Sequence, residues 1–98
     1  MSTISEPDAR ERLGRIPGWT LTGPAIRRQY AFGGFADALA FVVRLGFDAE
    51  AADHHPEILI NYRRVTLTYT THSEGGLTEK DFAGATGADT LAHRMGGK

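Results

Sequence analysis

The sequence predicts an α+β domain, a four-stranded antiparallel sheet with three helices on one face in the order helix, strand, strand, helix, strand, strand, helix. Three observations predict it. Residues 25–32 and 58–70 alternate apolar with polar side chains, as half-buried strands do. Between them the apolar period lengthens to about three and a half residues over 35–52, the spacing of an amphipathic helix. Both ends of the chain carry helix-start signatures, at Ser5 and at Thr78.

The chain has 98 residues, which makes residues 1–98 one domain, near the size at which burial becomes marginal and association of copies helps. Apolar residues make up 41% and charged residues 23%, an ordinary balance for a folded globular protein. The formal net charge is −1, so no global field favours nucleic acid or an anionic membrane. There is no cysteine, which excludes disulfides, thiolate catalysis and cysteine-ligated zinc. The N-terminus lacks a secretory or transit pattern, and no apolar run is long enough to span a bilayer; the expectation is a cytoplasmic protein.

Ser5 caps the first helix, with Asp8 to complete a capping box and Ile4 placed to staple against Ala9. Gly14 and Pro17-Gly18 end it, and Trp19-Thr20-Leu21 reads as a short first strand. After the turn at Thr22-Gly23-Pro24, Ile26, Tyr30 and Phe32 share one face of the second strand. Arg28 interrupts that face, its stem reaching toward water.

Beyond Gly33-Gly34, the stripe of the longest helix is Phe35, Ala38, Leu39, Val42, Leu45, Gly46 and Ala49. Phe41, Val43 and Phe47 widen its apolar surface beyond what a sheet covers, which suggests a second copy of the helix as partner. Pro56 drives His55 from helical geometry, so the helix ends at the histidine pair. Ile58, Ile60 and Tyr62 alternate in the third strand, and Val65, Leu67 and Tyr69 in the fourth, joined through Arg63-Arg64. Thr78 and Asp81 form a capping box for the last helix, with Leu77 and Phe82 as staple; that helix runs through Ala85, Ala88, Ala92 and Met95.

The chemistry gathers between Glu50 and Asp81, around Asp53-His54-His55-Pro56. His72 lies at the end of the fourth strand on the face of the threonines, away from Val65 and Leu67. Histidine is the side chain that gives and takes protons near neutral pH, so these three rings in one pocket would suit acid–base catalysis. Each residue also has a plain structural reading: Glu50 a solvated helix residue, Asp81 only the capping acid, His54 a histidine drawn to the helix dipole. Metal binding is poorly supported without cysteine or His-Glu-x-x-His spacing. No serine stands on a nucleophile elbow, and the glycine pairs lack a phosphate-binding pattern.

Glu50, three intervening residues, His54-His55-Pro56, five more, Tyr62, nine more, His72, eight more and Asp81 form a spacing that resembles the signature of the pterin-4a-carbinolamine dehydratases. The likeness extends over Gly18-Trp19, Ile26 to Phe32 and Phe35 to Ala49. Ile58-Leu59 and Arg63 depart from common family residues. The resemblance implies loss of water from a 4a-hydroxytetrahydropterin to give a quinonoid dihydropterin, following turnover of an aromatic amino acid hydroxylase. It implies His54 and His72 as the acid–base pair, and His55 as a residue that holds the ring. Glu50, Asp53, Pro56 and Asp81 would orient substrate and histidines. No metal or cofactor beyond the pterin substrate is implied, and the long helix 35–52 would join a homodimer or homotetramer. Animal members also act as dimerisation partners of a transcription factor and some relatives assist assembly of other proteins, so a non-enzymatic role through that helix is the alternative.

Overall fold

The computed structural model describes residues 3–98. Its elements are α1 (Glu6–Leu13), β1 (Thr20–Thr22), β2 (Ala25–Ala31), α2 (Phe35–Ala52), β3 (Glu57–Asn61), β4 (Arg64–Tyr69), a 3-10 turn at His72–Glu74 and α3 (Glu79–Arg94). The strands pair antiparallel in the order β1-β2-β4-β3. The α+β architecture is therefore the one expected.

Register decides which side chains meet. Ile26 opposes Tyr69 and Tyr30 opposes Val65 across β2 and β4, while Ile58 opposes Leu67 and Ile60 opposes Val65 across β3 and β4. Directly opposed residues share a face. That face carries the core: Ile26, Tyr30, Val65, Leu67 and Tyr69 are buried together with Phe41 and Leu45 of α2 and Phe82, Ala85 and Ala88 of α3. The other face presents Arg27, Gln29, Leu59 and Asn61, all exposed.

The hairpin differs from expectation by one residue. Asn61 already pairs with Arg64, so Tyr62 and Arg63 form a two-residue turn and Tyr62 leaves the face of Ile58 and Ile60. A tight hairpin of this length needs left-handed backbone to match the strand twist. Tyr62 supplies it, at φ 56°, without the asparagine or glycine that would have announced it.

The buried stripe of α2 is likewise rotated. Ala38, Phe41, Leu45 and Ala49 are the buried residues, whereas Phe35 and Leu39, expected within the stripe, are 51% and 42% exposed. Phe41 packs between Tyr30 and Phe32, with ring centroids 5.4 and 4.9 Å away. The aromatic rings of β2 thus set the helix rotation. What remains outside is a ridge at four-residue spacing, Phe35, Leu39, Val43 and Phe47, the last 71% exposed.

Arg28 does more than reach water. Its Nη1 donates to Asp89 Oδ1 at 2.9 Å and to the carbonyl of Pro17 at 3.1 Å, and its guanidinium lies over the Tyr30 ring, 4.6 Å from the centroid. The same carboxylate accepts from Trp19 Nε1 at 3.0 Å and from the Tyr30 hydroxyl. One side chain of α3 therefore holds three residues of the β1–β2 region. Burial, then the Asp89 bond, push the Tyr30 phenol well above its ordinary pKa. Gly18, at φ 98°, is required here, since a Cβ would fall 2.8 Å from the guanidinium.

A second tie, Arg12 to Glu79 through bonds of 2.6 and 2.7 Å, joins α1 to the start of α3. The bond to Arg12 lowers the Glu79 pKa. Both charges are wet, and such pairs contribute little to stability.

Candidate functional site

The site begins with the way α2 stops. Asp53 turns left-handed at φ 52° and ψ 40°, a conformation aspartate tolerates better than most residues. The N–H of Asp53 then reaches Glu50 O and the N–H of His54 reaches Ala49 O, each at 3.1 Å. This paired closure is a Schellman motif, and it fixes the backbone of His54. Pro56, buried, follows and leads into β3.

The His54 ring is held on two sides. Its Nε2 lies 2.6 Å from Asp81 Oδ1, and its face stacks on Tyr69, with centroids 6.0 Å apart and planes at 19°. Asp81 is fully buried. Its Oδ2 accepts from Thr71 Oγ1 at 2.8 Å and from the N–H of Thr78 at 2.9 Å, and the two threonine hydroxyls are 2.9 Å apart. A carboxylate so supplied with donors accepts on its other oxygen as well, which puts the imidazole proton on Nε2 and leaves Nδ1 as the acceptor. Nδ1 has no hydrogen-bond partner, and no buried side-chain nitrogen or oxygen is unpaired among the described residues. Nδ1 therefore opens to the surface.

Asp81 thus plays two parts, closing the capping box of α3 and backing His54. Glu50 pairs with His55, its Oε1 2.7 Å from His55 Nε2, and both side chains are exposed. His72 stands in the 3-10 turn one residue after Thr71, so the end of β4 carries it beside the Asp81 network. It is exposed, and no hydrogen bond joins it to His54 or His55 among the described residues. The side chain of Asp53 makes no hydrogen bond among the described residues; its observed part is to end the helix.

A cavity of about 230 Å³ lies between α2 and α3, lined by His54, Tyr69, Leu45, Ala49, Gly84 and Ala88 among others. Of the three histidines expected in one pocket, only His54 lines it. Past the Schellman turn the chain extends, and successive side chains of extended chain point to opposite sides; His55 accordingly meets Glu50 instead. Among the described residues no three histidine, aspartate or glutamate side chains are grouped to hold a metal ion, and no helix is long and apolar enough to cross a membrane.

Sequence reasoning missed Thr71 and Tyr69 as site residues. Nothing in the sequence singles out Thr71, and Tyr69 reads as a residue of the fourth strand; their second contacts, to Asp81 and to the His54 ring, come from the approach of the segment after β4 to the cap of α3.

The family model of pterin 4 alpha carbinolamine dehydratase matches residues 2–91. The chain belongs to this family. A relative from Roseiflexus sp. (strain RS-1), provisionally named a pterin-4-alpha-carbinolamine dehydratase, is 50% identical over 88 residues, 90% of this chain and 95% of its own. One from Chloroflexus aurantiacus, named likewise, is 47% identical over 91 residues, covering 93% and 98%. Among solved structures, a transcriptional coactivator/pterin dehydratase from Brucella melitensis matches with a TM-score of 0.89 and 35% identity over 93% of this chain and 99% of that one. A pterin dehydratase-like RuBisCO assembly factor of the alpha-carboxysome matches less fully, with a TM-score of 0.62 and 28% identity over 76% and 86%. Family and relatives make the chain an enzyme, a hydro-lyase that acts on pterin carbinolamines.

Proposed function

We propose that this dehydratase removes water from 4a-hydroxytetrahydropterin to release quinonoid dihydropterin, and so serves to recycle the reduced pterin used by an aromatic amino acid hydroxylase in the cytoplasm. The observation that carries the reading is the His54–Asp81 pair: one ring nitrogen bound to a buried carboxylate, the other open. The step takes a proton from N5 and gives one to the departing 4a-hydroxyl, and no electrons leave the substrate. His54 Nδ1 is one of the two proton carriers. A carboxylate behind such a histidine fixes its tautomer and stabilises the transient imidazolium. His72 is the other carrier, His55 with Glu50 holds the ring, and Asp53 and Pro56 set the direction of the pair. No metal or further cofactor takes part.

Stopped-flow absorbance of carbinolamine decay tests this reading. Decay is expected to accelerate in proportion to protein concentration; decay at the uncatalysed rate at every concentration would remove the reading.

We further propose that the ridge of Phe35, Leu39, Val43 and Phe47 joins copies of this chain into a homodimer or homotetramer. Four large apolar side chains in one exposed row favour it. Phe47→Asp is expected to shift the mass seen by light scattering to a smaller species, since it places a charge in the row. An unchanged mass would exclude that interface. A heterologous assembly role, the work of the carboxysome neighbour, would use the same row and would instead leave the chain monomeric without its partner.

A further inference from the structure

We propose that the groove between α2 and α3 receives the substituent on C6 of the pterin ring, and thereby sets which tetrahydropterins the enzyme accepts. The inference rests on the dehydratase reading above, because it starts from the position of N5. In the pterin ring N5 is bonded directly to both C4a and C6. A ring whose N5 or 4a-hydroxyl lies within hydrogen-bond reach of His54 therefore carries its C6 group to the immediate surroundings of that imidazole. The concave space there is the α2–α3 cavity, which His54 itself lines.

The walls suit a short chain. Ala49, Ala52, Ala83 and Ala88 line the groove with methyl groups, and Gly84 and Gly87 with none. At about 230 Å³, the space exceeds several times the ~30 Å³ share of a water molecule, enough for a chain of a few carbons with hydroxyls. Polar groups are available: the Tyr69 hydroxyl has no hydrogen-bond partner among the described residues, and Lys80 stands on the lining. Burial, then the nearby Asp81 and Asp48 charges, push the Tyr69 phenol up to about 12, so it remains a donor at neutral pH.

The two glycines differ in a telling way. Gly84 is demanded by packing, since a Cβ there would lie 2.5 Å from the Tyr69 ring. Gly87 has no such neighbour within 4 Å and no positive φ, yet a helix-interior glycine costs about 1 kcal/mol against alanine. What Gly87 preserves is the open width of the groove.

Gly87→Leu projects a side chain into that width from a Cβ with no neighbour within 4 Å, and leucine is a better helix former, so folding should be retained, with thermal unfolding as the check. Dehydration is then compared for two carbinolamines, one with methyl and one with a dihydroxypropyl group at C6. The expected result is a KM increase at least about tenfold larger for the dihydroxypropyl substrate than for the methyl one, the scale on which pockets discriminate by a few atoms, with kcat changing far less than KM. Gly87→Ala should show a smaller difference in the same direction. Equal losses on both substrates, or none on either, would overturn the subsite while leaving the dehydratase reading intact. Failure of the unmodified enzyme to accelerate either carbinolamine would remove both.

Discussion

His54→Ala is expected to slow carbinolamine dehydration by about a hundredfold or more, the usual loss when a positioned general acid or base is removed. The effect should fall on kcat, because the ring acts on protons in flight and only secondarily on binding. His72→Ala, as removal of the proposed second carrier, is expected to be of similar size, although in its exposed place in the 3-10 turn no carboxylate among the described residues bonds to it. The bound geometry must supply that order. Asp81→Asn separates chemistry from architecture: the amide can still accept from the N–H of Thr78, but it no longer stabilises an imidazolium behind His54. Rates within about threefold of the unmodified enzyme in His54→Ala would exclude general acid–base action by this ring. A hundredfold loss in His54→Ala with unchanged thermal unfolding would place the effect in the chemical step.

How much of this was legible beforehand depends on the range of the interaction. The helix starts at Ser5 and Thr78 are local, and the structure has both caps. The end of α2 before Pro56 is local too. The rotation of α2 is not: its sequence offers apolar residues around more than half its circumference, and only the rings of Tyr30 and Phe32 choose Phe41 over Phe35 and Leu39 for the core. Tyr62 was misplaced because left-handed geometry at a tyrosine has no sequence signature. At the site, the pattern located His54 and Asp81 but not their bond. That bond joins residues 27 positions apart in the chain, and it depends on Thr71 reaching the cap of α3. The shared pocket for three imidazoles came from counting histidines near element ends, which fixes their neighbourhood and leaves their directions open.

Asp89 belongs to the same class of long-range feature, and its removal should produce the largest change in stability. Nothing in the sequence marks it, since an aspartate two-thirds of the way along a helix is ordinarily a solvated residue. Here Asp89→Ala would leave the Arg28 guanidinium without its anion, 22% exposed, and the Trp19 indole N–H and Tyr30 hydroxyl without acceptors. Breaking a buried charge pair by removing one partner costs about 3–5 kcal/mol; partial exposure argues for the lower end, about 3 kcal/mol. In a domain of this size each kcal/mol moves Tm by roughly 4–8 °C, so thermal unfolding should shift down by more than about 10 °C. Asp89→Asn, which keeps one acceptor oxygen but no charge, should fall between. Trp19 is the sole tryptophan, so its fluorescence reports release of the indole directly. A Tm within about 2 °C of the unmodified protein would show that water replaces the carboxylate at little cost. Because Asp89 does not line the α2–α3 cavity, the folded fraction of Asp89→Ala should dehydrate substrate at the normal rate, and that contrast with His54→Ala distinguishes a residue that holds the fold from one that moves protons.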